Sequence, residues 1–250
     1  YDVDALISED GRPTEKYFLC RDVLDEYLGK EKRPHILPER KTQSLTVSLD
    51  QAAPLFENLE ALTEKRDYAL RPKPMEDYDQ NYGIILYTTK LEAYKETPVS
   101  VRPFKFRDRA NLYVDGEWFA TYMRDREVTK IGENISKVSD YPAIKQDGKE
   151  KKIDILVENT GRINFGRFLP DERKGLEDGI LYGGVKLVGY DTRSMPLEDL
   201  SRLMWRDNKN IKEHMPCFFK GEFDAKSGVD TYICFENFGH GYIWVNGFNV

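Results

Sequence analysis

Cysteine, histidine and tryptophan are scarce in this sequence, three of each in 250 residues. Cys20, Cys217 and Cys234 are scattered, odd in number and without a CxxC spacing. That argues against a disulfide framework and against a zinc site. The three thiols are expected to be small buried apolar side chains. His35, His214 and His240 stand far apart, with no HExxH and no carboxylate cluster beside them. No metal and no cofactor is therefore expected. No apolar run approaches the roughly 20 residues of a membrane span, so no membrane partner is expected. Positive charge is also in deficit. The formal net charge is −6, and nothing in it would gather the phosphates of a nucleic acid. No signal peptide is visible, and the chain opens at Tyr1 without an initiator Met, so it reads as a fragment. The few cysteines point to a cytoplasmic protein.

What the sequence has in plenty is aromatic residues, 15 Tyr and 13 Phe. These favour strands and fill the cores of sandwiches. They also stack on the apolar C–H faces of sugars. One long helix is predicted. Thr14 is its N-cap, Tyr17, Cys20, Leu24, Tyr27 and Leu28 recur at helical spacing, and Gly29 stops it. Residues 30–43 carry Pro34 and Pro38 and read as a linker or an extended crossing segment. Leu45, Val47 and Leu49 alternate with polar residues, predicting a strand, and residues 50–64 allow one helical turn or two.

Beyond residue 74 the pattern is β. Strands are predicted at Ile84–Thr89, Val99–Phe106, Ile153–Val157, around Val185 and Leu187, and at Tyr232–Phe235. Two hairpins are marked by their turns. Leu112-Tyr113-Val114 runs into Asp115-Gly116, and Tyr242-Ile243-Trp244-Val245 runs into Asn246-Gly247. Both central residues of a type I′ turn need positive φ, which these dipeptides tolerate. The hairpins NLYVDGEWF (111–119) and YIWVNGFNV (242–250) resemble each other, a weak internal repeat that suggests two β modules of one kind. The chain ends at Val250, where the returning strand should begin, and is expected to be truncated there.

Four segments, in order, resemble one family. YDVDALISEDGRPTEKY (1–17), YGIILYTTKL (82–91), IDILVENTGRINFG (153–166) and GYIWVNGFNV (241–250) are similar to motifs of the glycoside hydrolase family 35 β-galactosidases. The third is the most specific. The resemblance implies a mainly β fold: two jelly-roll, galactose-binding-like β-sandwich domains, preceded by the last loop and helix of a truncated (β/α)8 barrel. Residues 1–30 would end that catalytic barrel, and 31–74 would be a linker and crossing strand. Residues 75–195 would form β-sandwich domain 1. Residues 196–250 would form a truncated β-sandwich domain 2 that includes a strand over 44–50.

The family's enzymes remove terminal non-reducing β-galactosyl residues with retention, so the implied partner is a β-galactoside substrate. Assembly into a homo-oligomer is left open. Retention needs two carboxyl groups only about 5 Å apart. The family carries both glutamates on barrel strands upstream of the segment matching Tyr1, so no catalytic residue is expected in this chain. The resemblance implies substrate-binding roles for Tyr1, Asp2, Val3 and Phe165. The first three follow a barrel strand and would line the galactose pocket, at the face where such barrels place their sites. Val3 stands where the family has a sugar-contacting Tyr. That departure weakens binding, shifts specificity towards another exo-glycosidase, or is made good by Tyr1. By the same resemblance, Asn164 and Phe165 would lie in a loop near the barrel mouth. Phe165 would stack on the aglycone or cap the interface between domain and barrel, with Gly161 and Gly166 making tight turns and Arg162 in an interface ion pair. Trp118 and Trp244 would be packed between sheets or bind sugar. The charged stretches 149–152 and 171–174 read as solvated loops. A competing reading is a free-standing carbohydrate-binding β-sandwich module without catalysis.

Overall fold

The helix forms where the spacing predicts, over Glu15–Leu28, and Gly29 ends it with a φ of +82°. This computed structural model describes residues 4–9, 11–32, 41–93, 98–124, 128–130, 133–135, 142–166, 169–234, 236 and 238–250. Two units can be distinguished. One comprises Tyr1–Ser48, Glu222–Ile243 and Val250, the other Leu49–Gly221 and Trp244–Asn249.

In the first unit the hydroxyl of Thr14 does not cap the helix. It donates instead to the carbonyls of Ala5 and Leu6, at 3.2 and 3.0 Å. Lys16 Nζ holds Asp4 Oδ2 at 2.7 Å. No residue of the helix is buried, and Leu19, Val23 and Leu24 are each more than half exposed. Cys20 and Cys234 are exposed and Cys217, in the second unit, is half-buried, which corrects the expectation of buried thiols. Tyr232–Cys234 are not in a strand, and Phe235 lies outside the described residues. This segment bonds through Thr231 and Asp230 to the stretch around Gln43, one isolated bridge rather than a ladder.

The second unit is built on an eight-stranded antiparallel sheet. Across it run Lys65–Ala69, Tyr190–Met195, Ile84–Leu91, Lys151–Glu158, Arg109–Val114, Glu117–Met123, Val128–Lys130 and Glu133–Ile135. A four-stranded sheet, Ala143–Ile144, Val99–Pro103, Ile180–Tyr182 and Val185–Lys186, faces it. Alternation sends Ile153, Ile155 and Val157 inward from the central strand. They meet Ile85, Tyr87, Leu112 and Tyr122 of the same sheet and Val101, Ile144 and Ile180 of the other. The other face of the large sheet is also closed: Leu86, Tyr113 and Leu156 are buried, and the Tyr113 ring meets Phe56 edge-on at 4.9 Å. The protein is thus mainly β, with several sheets and few helices.

Both marked hairpins form. Asp115 and Gly116 have φ of +52° and +83°, and Asn246 and Gly247 have +52° and +81°. The second hairpin pairs only Trp244–Val245 with Phe248–Asn249. Residues 55–62 make two short turns, Leu55–Glu57 and Leu59–Leu62. No strand forms over 44–50. Pairing starts one residue later, at Gln51–Pro54, between Arg206–Asp207 and Cys217–Lys220. Burial decides this: Ala52 and Ala53 are wholly buried, whereas Leu49 is 39% exposed.

The core holds its tyrosines by their hydroxyls. Tyr87 donates to Lys73 O at 2.7 Å and accepts from Leu176 N at 3.1 Å. Tyr122 donates to Val101 O at 2.6 Å. Tyr190 donates to Leu187 O and accepts from Ile180 N, and burial pushes its phenol up to about 12. Gly175 packs directly on Tyr87: a Cβ there would lie 2.5 Å from the Tyr87 hydroxyl, at a φ of +91°. Gly175→Ala is expected to cost about 2 kcal/mol, from left-handed strain and overpacking together. Thermal unfolding of wild type and variant checks it, and an unchanged midpoint would show the contact to be soft.

Candidate functional site

The segment 159–166 leaves the central strand and has no regular structure, yet it is held at successive residues. Asn159 Nδ2 donates to Asn81 O at 2.9 Å. Thr160 N donates to Asp108 Oδ2 at 2.9 Å. The carbonyl of Gly161 accepts from Lys174 Nζ. Arg162 Nη1 donates to Glu172 O at 3.1 Å and pairs with Glu76 Oε1 at 2.9 Å. Ile163 N donates to Glu172 Oε2 at 3.3 Å. This ion pair lies within the arginine's own unit. Gly161 and Gly166 take φ of +115° and +118°, as tight turns require.

The grip comes from a buried ion cluster. Lys174 is wholly buried, Asp108 is 1% exposed and Glu172 8%. Lys174 Nζ reaches Asp108 Oδ1 and Oδ2 at 3.0 and 2.8 Å, and Glu172 Oε1 at 2.8 Å. With the Gly161 carbonyl, the ammonium has an acceptor group for each of its three protons. Arg124 Nη1 adds bonds to Asp108 Oδ1 at 2.7 Å and Glu172 Oε1 at 2.8 Å. Two cations thus meet two carboxylates, so no net charge is buried. Burial alone would raise the Glu172 carboxyl. Hydrogen bonds from Lys174 and Arg124, then their charges, outweigh it and bring it down to about 2.

This cluster does not suit chemistry on a substrate. Its carboxylates are sealed from solvent and neutralised by their partners. What it can do is hold backbone in place. Sequence reasoning missed it, reading 171–174 as a solvated loop. The available signal was the spacing of Glu172 and Lys174, two apart and so on one side of an extended segment, just before the apolar start of Gly175–Leu176. Lys151 and Lys152, also read as loop, open the central strand.

Of the expected substrate-binding residues, Tyr1, Asp2 and Val3 lie outside the described residues. Phe165 is 88% exposed, three residues beyond Arg162. Trp118 and Trp244 are half-buried rather than enclosed. The Trp118 ring stacks on His214 with centroids 4.1 Å apart. Trp244 borders an open cleft of about 340 Å³ with Tyr82, Leu197, Glu198 and Asn249. Tyr82 donates to Asn249 Oδ1 there at 3.0 Å. Among the described residues no group of His, Cys, Asp and Glu is arranged to hold a metal, and no helix is long and apolar enough to cross a membrane.

The described sandwich coincides with a known family domain. Residues 72–198, just over half of the chain, match the model described as "Beta-galactosidase, first all-beta domain". The chain belongs to the β-galactosidase family. Residues 216–250 match a second description, "Beta-galactosidase, galactose-binding domain". A "Beta-galactosidase" of Xanthomonas manihotis is 31% identical over 254 residues, covering 100% of this chain and 39% of that protein. "Beta-galactosidase 1" of Dictyostelium discoideum is 28% identical over 268 residues, covering 100% and 40%. A "Beta-galactosidase" of Felis catus is 31% identical over 276 residues, covering 100% and 39%. The chain spans about two-fifths of the length of these relatives. It corresponds to a C-terminal portion of a β-galactosidase, and the four motifs are consistent with glycoside hydrolase family 35.

Proposed function

We propose that this chain is the C-terminal part of a retaining exo-β-galactosidase that hydrolyses terminal non-reducing β-galactosyl residues. The observation that carries this reading is the match to β-galactosidases along the whole chain. In it, the catalytic glutamates belong to a barrel outside this chain. Residues 1–30 are the last loop and helix of that barrel. The helix Glu15–Leu28, which buries none of its residues, supports the assignment, because a barrel helix packs its apolar side on strands. Two jelly-roll domains follow, buttressing the barrel and shaping the pocket mouth. Tyr1, Asp2 and Val3 form part of the pocket wall. Phe165 faces the aglycone, a role that suits an exposed aromatic on a firmly held loop.

The test is hydrolysis by the full-length protein. It is expected to cleave an aryl β-galactoside faster than an aryl β-glucosaminide and to release β-galactose first, seen by NMR before mutarotation. Faster cleavage of the glucosaminide would overturn the galactosidase reading and point to the loss of the sugar-contacting Tyr at Val3. Release of the α-anomer would overturn retention. Binding of galactosides with no hydrolysis would favour a carbohydrate-binding module.

A further inference from the structure

We propose that the buried cluster of Lys174, Asp108, Glu172 and Arg124 is a positioning device that sets Phe165 against the aglycone and so determines leaving-group preference. The inference rests on the placing of Phe165 at the aglycone given above. Its own basis is the succession of anchors at four consecutive residues. Asp108 takes the amide of Thr160, Lys174 takes the carbonyl of Gly161, Glu172 takes the side chain of Arg162 through its carbonyl, and its carboxylate takes the amide of Ile163.

These anchors differ in kind from ordinary loop packing. Thr160, Gly161 and Arg162 are exposed. Charge-assisted hydrogen bonds directed inward, which are stronger than neutral ones, hold these residues. Fixing the backbone of residues 160–163 leaves only Asn164 between the last anchor and Phe165. A ring that is 88% exposed has few contacts of its own to hold it. The cluster supplies the missing rigidity from beneath. An ammonium suits the task, since Lys174 offers three diverging protons to Asp108, Glu172 and Gly161 O from one atom.

The experiment uses the full-length enzyme and the ratio of kcat/KM for an aryl β-galactoside to that for a β-galactosyl disaccharide. A loss of folded enzyme lowers both values in proportion and leaves the ratio alone, whereas a displaced aglycone contact changes it. Lys174→Met is the direct variant. Arg162→Leu is the milder one, because Arg162 is exposed and its loss leaves no wholly buried charge unpaired. It decides the matter if Lys174→Met does not fold. Each is expected to move the ratio about tenfold, in the direction of Phe165→Ala, with Arg162→Lys recovering part of the change by keeping the pair with Glu76. If Phe165→Ala moves the ratio and the cluster variants do not, the positioning role is overturned and the aglycone reading stands. If Phe165→Ala leaves the ratio unchanged, the aglycone reading falls, and this inference with it.

Discussion

Lys174→Met is expected to cost the protein about 3–5 kcal/mol of folding stability, the range found when one member of a buried ion pair is removed. The side chain has no exposure to lose, so hydrophobic volume is nearly conserved and the change isolates the charge. What remains is Asp108 and Glu172, each a buried carboxylate, with Arg124 as the shared cation. One negative charge is left over where water cannot reach it, and the Gly161 carbonyl loses its donor. The effect is measured by urea or thermal denaturation of wild type and variant. A second comparison sharpens it. Lys174→Met combined with Asp108→Asn removes the surplus charge and should be more stable than Lys174→Met alone, because the variants share partners and do not add. A loss below about 1 kcal/mol for the single variant would mean that the site relaxes to admit water, and that the cluster is not a rigid element.

The second large effect is on acid stability. Glu172 has an ordinary value of 4.5 in the unfolded chain and about 2 in the folded protein. Its folded value is depressed, so between these limits the unfolded state binds more protons than the native one. Stability from this group is therefore fully present above about pH 5 and is lost as the pH falls towards 2. A displacement of this size corresponds to about 3 kcal/mol. Glu172→Gln keeps an oxygen able to accept from Lys174 but cannot titrate. The variant should be less stable at neutral pH and should lose less on acidification, so the two curves converge as the pH approaches 2. Curves that stay parallel down to that point would place the acid response in other carboxylates.

The sequence showed the elements whose cause is local. The helix followed from Thr14, the apolar spacing and Gly29, although Thr14 turned its hydroxyl to the preceding loop. Asp-Gly and Asn-Gly located both hairpins to the residue, because positive φ at two successive positions is a backbone demand that few residue pairs meet. The central strand was visible in Ile153, Ile155 and Val157. Elements defined by distant partners were not. The edge strand Lys65–Ala69 has no apolar alternation and exists because Tyr190–Met195 accepts it across 120 residues of chain. The alternating Leu45, Val47 and Leu49 had the pattern of a strand but no ladder to join. Lys174 was misread for the same reason. A lysine beside Asp, Glu and Arg looks solvated until Asp108, 66 positions away, is brought onto its ammonium. Phe165 became a candidate only through the family motif, and nothing in the composition singles it out from 12 other phenylalanines.

The strand order has a consequence for synthesis. Lys151–Glu158 lies between Ile84–Leu91 and Arg109–Val114, both of which precede it in the chain. A nascent chain that has emerged as far as residue 150 therefore holds two strands with no neighbour between them, each offering an open row of amides and carbonyls. Such edges invite pairing with other chains. The gap is filled only when the strand bearing Ile153, Ile155 and Val157 leaves the ribosome. The next segment to emerge is the one that Lys174 goes on to hold, so the centre of the sheet and the loop it supports are completed within about two dozen residues of each other, or one to a few seconds of translation.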